Sequence, residues 1–462
     1  MKKIKNYNQA IDYIYSLVPP KNHDLEPGIH LDRITKFLDI IGNPQNSYPS
    51  IHIGGTAGKG STAYLTTKIL SQLGYKVGLH MSPNLVTLNE KFKVAYPPQK
   101  EGDTSKILEC SNNDLIDIVN WFRSKESIYP LMEKPLSFYE SIIAMVFKYF
   151  EKEKVDLAVI EVAMGGRLDA TNVINSEVAV LNSVGLDHMK FLGNTKKEIC
   201  WDKMHIMKPK KVFITGLEDK KLNKMIRKHA QKLGSKLEHI NKEFQYKIFE
   251  SNINGSVFTF RNKDLNISKI RLNLIGDYQI HNAVLAIQAV HSFLKKQKKK
   301  IKQEKLINAI KIALASAKLK GRFDILQKKP YIIMDGAHNK LKMNSLCRNL
   351  KKNFGEVGVE LLFSSKNKVN LMKMVKELRV LNIKKIYLSE FQRKYYATIK
   401  SDTNTIMKKE FLKYFSNDLK IFTFSDPYEA FINFKKNINK NRVGIVTGSL
   451  YLLGKIYEHL DK

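Results

Sequence analysis

A glycine-rich turn between a strand-like and a helix-like segment constrains this chain more than any other feature. Ser50-Ile51-His52-Ile53 is a short apolar run, and Gly54-Gly55-Thr56-Ala57-Gly58-Lys59-Gly60-Ser61-Thr62 follows it. Ser61 to Leu73 then carries Ala63, Leu65, Ile69, Leu70 and Leu73 at helical spacing before Gly74. Strand, loop and helix in that order, with a glycine stop, make one unit of an α/β fold. Glycines let backbone N–H groups approach phosphate oxygens, a helix N-terminus favours negative charge, and Lys59 can pair with β- and γ-phosphates. The segment is not a standard Walker A, because Gly60 follows Lys59 and the hydroxyls of Ser61 and Thr62 come after it.

The same alternation continues along the chain. Val155-Asp156-Leu157-Ala158-Val159-Ile160, Val178-Ala179-Val180-Leu181 and Lys211-Val212-Phe213-Ile214-Thr215 are β-branched, nearly continuous apolar runs, as buried parallel strands require. A second series starts near Gly321: Tyr331–Met334, Glu360–Phe363, Lys385–Leu388, Ile421–Phe424 and Val443–Val446, each separated by helical pattern. The expected fold is therefore α/β with a mostly parallel sheet. The expected division is a larger unit over residues 1–317, a linker over 318–322 and a smaller α/β unit over 323–462. Tyr96 to Asn113, with Pro97-Pro98 and Gly102, is expected to be a mobile loop.

Composition narrows the function. With 462 residues and 43% hydrophobic content the chain can bury a large core, and no run approaches the roughly 18 apolar residues of a membrane span. Met1 to Pro20 lacks the uninterrupted apolar core of a signal peptide. Three distant cysteines (Cys110, Cys200, Cys347) fit neither a disulfide framework nor a zinc site. A cytoplasmic protein without a membrane partner is expected. The net charge of +34 raises the question of nucleic acid, but only eleven of the seventy-eight basic residues are arginine. Lysine dispersed along the chain, apart from the run Lys295 to Lys305, is the pattern of a solvated surface rather than of base readout. No nucleic-acid partner is expected.

Two further segments sit where α/β proteins hold ligands, beyond the carboxyl ends of strands. Glu161-Val162-Ala163-Met164-Gly165-Gly166-Arg167-Leu168-Asp169-Ala170-Thr171-Asn172 begins as one strand ends, and Gly185-Leu186-Asp187-His188 follows the next. Glu161 and His188 thus become candidate metal ligands on one sheet edge.

Taken together, the motifs resemble the folylpolyglutamate synthase and dihydrofolate synthase family, members of the Mur ligase superfamily. His52 to Ser61 matches the family's His-x-Gly/Ala-Gly-Thr-Asn-Gly-Lys-Gly-Ser, with Ala57 in place of Asn. Ser82-Pro83-Asn84-Leu85 stands for Ser-Pro-His-Leu, and Gly165 to Asn172 is intact. Gly185 to His188, Phe191-Leu192-Gly193, Ile206-Met207-Lys208-Pro209, Gly276-Asp277-Tyr278-Gln279 with Asn282-Ala283, Gly321-Arg322-Phe323, Asp335-Gly336-Ala337-His338-Asn339 and Thr447-Gly448-Ser449-Leu450-Tyr451 follow in order. The resemblance runs from about Leu31 to Leu453.

It implies a Mur-ligase-like ATPase unit followed by a Rossmann-like unit, and an enzyme that joins L-glutamate to a folate-type carboxylate with ATP and Mg²⁺ through an acyl phosphate. Dihydropteroate, a reduced folate or both would be acceptors, and a monomer is expected. By similarity, Thr56, Gly58, Lys59, Gly60, Ser61 and Thr62 would cradle ATP, and Asn282, Arg322, Asp335 and His338 would reach the nucleotide. The last three lie in the linker and C-terminal unit, so the active site would lie between domains. Ser82, Glu161 and His188 would hold Mg²⁺. Lys203 would stand where many members carry a carbamate that helps hold a second ion, although Met204-His205 replaces the usual Ala-Gly. Lys59, Lys203, His188 and Arg322 would be catalytic. Arg167 and Asp169 would place the acceptor or order the metal-site loop. Ser364-Ser365-Lys366-Asn367 departs from a Gly- and Asp-containing turn. The alternatives are a Mur-type ligase for another carboxylate and a basic nucleic-acid-binding ATPase, which would leave Asp335 to Asn339 unexplained.

Overall fold

The computed structural model describes residues 3–18, 30–100, 102–132, 135–298, 301–366, 368–394, 398–416 and 418–460. Asn367, parts of the Lys295–Lys305 run, and both ends of the Met1–Pro20 stretch lie outside the described residues. The chain divides into two compact units: Met1–Glu250, Ser256–Asn273 and Asp277–Ala317 form the first, and Ser251–Gly255, Leu274–Gly276 and Lys318–Lys462 the second.

The first unit is built on eight strands: β1 (Ser50–Gly54), β2 (Val77–His80), β3 (Lys93–Tyr96), β4 (Lys106–Glu109), β5 (Leu157–Glu161), β6 (Val178–Leu181), β7 (Val212–Thr215) and β8 (Lys236–His239). Their order is β4-β3-β2-β5-β1-β6-β7-β8. β1 lies between β5 and β6, parallel to both, with Ile53 opposite Glu161 on one side and Val180 on the other. Every residue of β1 and β5 is buried, which is why these runs are continuously apolar rather than alternating. At one edge the direction reverses, because β3 is antiparallel to β2 and β4 antiparallel to β3.

That edge corrects one expectation. Tyr96 to Asn113 contains β4 and the first two residues of the helix Asn112–Arg123, which Ser111 and Asp114 open with a capping box. Gln72 pins the segment by donating to Asp103 O and accepting from Ser105 N. A second element escaped the strand–helix alternation altogether. β9 (Phe244–Asn252), β10 (Gly255–Asn262) and β11 (Asn266–Leu272) form a separate three-stranded sheet, with β10 and β11 antiparallel.

Helices cover the main sheet with aromatic and aliphatic side chains. Ser137 and Glu140 cap the helix Phe138–Lys152, which buries Phe138, Ile142, Met145, Phe147 and Phe150 in one cluster with Ala158 and Ile160 of β5. Truncating one such phenylalanine to alanine costs about 3–5 kcal/mol.

In the second unit, β12 (Asp324–Lys328), β13 (Tyr331–Met334), β14 (Val359–Phe363), β15 (Ile383–Ser389), a short pair β16 (Gln392–Lys394) and β17 (Thr398–Lys400), β18 (Lys420–Phe424) and β19 (Val443–Thr447) follow in the chain. Six of them make a sheet in the order β12-β13-β19-β14-β15-β18, parallel from β13 onward. Both units are α/β.

Candidate active site

The phosphate-loop segment runs from the end of β1 into the helix Lys59–Gln72, which starts two residues earlier than its apolar spacing predicts. Gly58 is the N-cap of that helix with φ 85°, and as glycine it offers no side chain to cap the first N–H groups. A Cβ at Gly58 would fall 2.3 Å from Asn282 Oδ1, so both conformation and space demand glycine. A helix N-terminus without a capping side chain from its N-cap residue is a positive end that favours anions. The loop after β6 braces this turn. Thr56 N donates to Ser183 O (2.9 Å), Ala57 N donates to Ser183 Oγ (2.9 Å), and Gly185 N donates to Thr56 Oγ1 (3.0 Å). Ala57 is therefore held through its backbone, and the absent Asn amide is not needed for the loop's path. Lys59 Nζ donates to Gly55 O at 3.0 Å, folded back on its own loop.

Behind the loop lies a chain of buried polar side chains. Asn182 Nδ2 donates to Thr62 Oγ1 (2.6 Å) and to Asn282 Oδ1 (3.1 Å), and Asn282 Nδ2 donates to Gln279 Oε1 (3.0 Å). Thr62 and Asn282 are thus tied into protein hydrogen bonds. Asn182 and Ser183 went unread in the sequence, although their place directly after a strand and before Gly185 was the available signal.

On the neighbouring strand, Glu161 closes β5 and accepts Ser82 N at Oε2 (3.0 Å). A Cβ at Gly60 would lie 3.3 Å from the same oxygen, so glycine lets the helix start approach the carboxylate. Buried Lys91 is held down at about 8 by burial, with Glu161 and Glu90 opposing the shift. His188 is exposed, has φ 50° and precedes the four-residue helix Met189–Leu192. Asn84 is buried, and its Oδ1 has no hydrogen-bond partner among the described residues.

The loop after Glu161 is organised by Asp169. Its Oδ2 accepts Ala163 N (3.0 Å) and Met164 N (2.9 Å), and its Oδ1 accepts Thr171 N (3.0 Å) and Thr171 Oγ1 (2.5 Å). Burial pushes this carboxyl up while those hydrogen bonds and Lys59 pull it down. Lys203 lies in the last turn of the helix Lys196–Met204 and reaches into the same loop, where Nζ donates to Gly165 O at 3.4 Å. Burial, and then the charge of Lys59, lower Lys203 to about 8. Arg167 rests on the Trp201 ring, 5.1 Å from its centroid, with Nε 3.9 Å from Asp202. The departure His205 has a structural role. Its Nδ1 donates to Trp201 O (2.6 Å) at the helix end, and its carbonyl accepts Asn172 Nδ2 (3.2 Å).

Arg322, Asp335 and His338 gather in the second unit. Asp335 follows β13 and accepts Phe323 N at Oδ2 and Ala337 N at Oδ1, both at 2.8 Å. Burial raises its carboxyl, and Arg322 opposes the shift most strongly. Arg322 Nη1 donates to Gly321 O (3.1 Å). His338 is fixed by Nδ1 to Gly336 O (2.8 Å), and Lys342 Nζ lies 3.1 Å from its Nε2. Among the described residues no three of His, Cys, Asp and Glu form a metal-binding cluster, and no helix is long and apolar enough to cross a membrane.

Comparison with known proteins gives a consistent picture. Residues 137–290 match the Mur ligase middle domain model. The chain is 31% identical over 355 residues to the folylpolyglutamate synthase of Lacticaseibacillus casei, covering 76% of this chain and 78% of that protein. It is 29% identical over 440 residues to the dihydrofolate synthase/folylpolyglutamate synthase of Bacillus subtilis, covering 94% and 95%. The crystal structure of folylpolyglutamate synthase from Thermotoga maritima superposes with a TM-score of 0.78 at 29% identity, covering 99% of this chain and 97% of that one.

Proposed function

This chain belongs to the folylpolyglutamate synthase and dihydrofolate synthase family of the Mur ligase superfamily and is an ATP-dependent ligase that adds glutamate to a folate-type carboxylate; from that premise we propose that the residues at the carboxyl ends of β1 and β5 carry its chemistry. The observation behind this reading is the turn at Gly58, where a glycine-capped helix start carries Lys59 and, at Gly60, comes close to the Glu161 carboxylate.

The reaction must bring one anion to another. The acceptor carboxylate attacks the γ-phosphorus of ATP and expels ADP. The glutamate amine then attacks the acyl carbon, and phosphate leaves as the amide forms. Cations and oriented dipoles fixed in advance lower the cost of that charge. Thr56, Gly58, Gly60 and Ser61 cradle the phosphates. Lys59 turns from Gly55 O to the γ-phosphate, while Thr62 and Asn282 hold the loop's shape from behind. In the second unit, Arg322 and His338 meet phosphate charge, and Asp335 takes the ribose or orients phosphate. ATP binding is assigned to the first compact unit, which ends at Ala317 as the sequence boundary has it, and residues 318–322 open the second unit, which also takes in Ser251–Gly255 and Leu274–Gly276; the protein acts as a monomer.

Use of ATP with Mg²⁺ is typical of this family. Glu161 and Ser82 supply the hard oxygen donors such an ion prefers, and the close approach at Gly60 keeps the Glu161 carboxylate beside the phosphate loop. With His188 they would hold the ion, which when bound shields phosphate charge as a Lewis acid. Lys203 is the carbamate candidate for a second ion. Carbon dioxide adds only to a neutral amine, and a lysine held at about 8 is neutral far more often near pH 7.5 than one at 10.5. The new N–C bond forms as the amine proton is lost to solvent. Arg167, steadied by Trp201, serves the acceptor, and Asp169 orders the loop.

The deciding experiment is ATP- and Mg²⁺-dependent incorporation of labelled glutamate, with dihydropteroate and tetrahydrofolate monoglutamate as parallel acceptors. Turnover of the first alone, the second alone or both assigns dihydrofolate synthase, polyglutamate synthase or a bifunctional enzyme. No turnover by folded protein with either acceptor would overturn the reading.

A further inference from the structure

β1 carries a histidine that the proposed chemistry does not use. His52 is fully buried, two residues before the phosphate loop, and its Nε2 lies 2.9 Å from Thr171 Oγ1. The Thr171 hydroxyl has a single proton and donates it to Asp169 Oδ1 at 2.5 Å. It can therefore only accept from His52, which must present an N–H at Nε2 and a lone pair at Nδ1. Two observations agree with this tautomer. Nδ1 has no hydrogen-bond partner among the described residues, which a bare lone pair tolerates better than an N–H, and burial followed by the charge of Lys208 holds the ring neutral.

The consequence lies further along the chain of contacts. With Oδ1 fixed by Thr171, Asp169 turns Oδ2 to the amides of Ala163 and Met164, the second and third residues after Glu161. Those amides set the path of the backbone into Gly165, whose carbonyl accepts Lys203 Nζ. We infer that His52 is a positioning residue: through Thr171 and Asp169 it fixes the loop that carries Glu161 into the site and receives Lys203. This rests on the ligase reading for the roles of Glu161 and Lys203, but the hydrogen-bond chain itself does not.

Two measurements test it. In wild-type protein with ¹⁵N-labelled histidine, the His52 signals should show the neutral Nε2–H tautomer unchanged from pH 5.5 to 8, with or without any turnover. An Nδ1–H tautomer or titration in that range would overturn the chain. In the glutamate-incorporation assay, with wild-type turnover establishing the ligase reading first, Thr171→Val and His52→Leu should each lower kcat at least tenfold. KM for ATP should stay within about twofold. Thr171→Ser and His52→Gln, which keep a hydroxyl and an N–H near the original positions, should recover most of kcat. The double variant H52L/T171V should be no slower than the worse single variant. Unchanged kcat in folded T171V, or additive losses in the double variant, would reject the inference while leaving the ligase reading intact. Should the deletion variants fail to fold, the tautomer and the conservative pair still decide it, since Ser and Gln variants no faster than a tenth of wild type would also count against it.

Discussion

Two aspartates, one in each unit, end up buried in turns that follow parallel strands, and their carboxylate oxygens are occupied to different extents. Asp169 sits after β5 with four donors on its two oxygens, all from residues within six positions of it. Asp335 sits after β13 with one backbone N–H on each oxygen and the Arg322 charge opposing its shift. A carboxylate has about four acceptor positions. Among the described residues, those of Asp169 are filled by its own loop, whereas Asp335 accepts two hydrogen bonds and has positions left over. An aspartate in an intact motif is therefore not evidence of contact with substrate until its lone pairs are accounted for.

The largest effect should come from Lys59, the charged side chain of the first turn region that is parked on a carbonyl. Lys59→Ala should lower kcat about 10²–10³-fold, the scale of losing one charge-stabilising donor, with the melting temperature unchanged. Near-normal kcat would remove the basis for treating that region as the phosphate site.

The comparison of the two aspartates can be broken directly. Asp169→Asn turns an amide NH₂ toward backbone donors in a buried loop and should cost about 2–3 kcal/mol, whereas Asp335→Asn should cost about 1–2 kcal/mol. Only Asp335→Asn should raise KM for ATP, by about tenfold, at acceptor saturation. Calorimetric unfolding and steady-state kinetics on both variants read this out, and equal stability losses with no split in KM would end the distinction.

A smaller effect concerns pH. Lys203, Lys91 and Lys208 are held at about 8 by burial, against 10.5 in the unfolded chain. Between those values the folded protein binds fewer protons than the unfolded chain, so stability should rise with pH from about 8 toward 10. Lys203→Met removes one of these groups. The variant should be the more stable protein at pH 7.5 in carbon-dioxide-depleted buffer, and its advantage should shrink by pH 10. Both tryptophans, Trp121 and Trp201, lie in the first unit, so fluorescence-detected urea unfolding follows the unit that contains Lys203. An advantage that does not change with pH would show that Lys203 is not a buried, titrating amine.

Much of this architecture is written in local patterns. The run from Ile51 through Gly58 to Leu73 announces strand, turn and helix because glycine conformation and apolar spacing act over a few residues. The same holds for β5, β6 and the strands after Gly321. Glu161 was legible as the residue that ends β5, whereas His188 falls in the loop after β6 and opens the short helix Met189–Leu192. The reversed edge β3–β4 was not legible, since Lys106–Glu109 is short, mostly exposed and gains its strand identity only from pairing with β3. The sheet β9–β11 was missed because the helix–strand alternation lapses there.

The sequence by itself determined the α/β class, the phosphate loop and the family, because these depend on residue types in fixed order. Only the tertiary structure decided which polar groups are occupied. His52 meets Thr171 across 119 positions, Asn182 meets Asn282 across 100, and Lys203 meets Gly165 across 38. A hydrogen bond has only a few ångströms of reach and a lone pair accepts from one donor, so availability for chemistry is settled when folding brings those distant residues together.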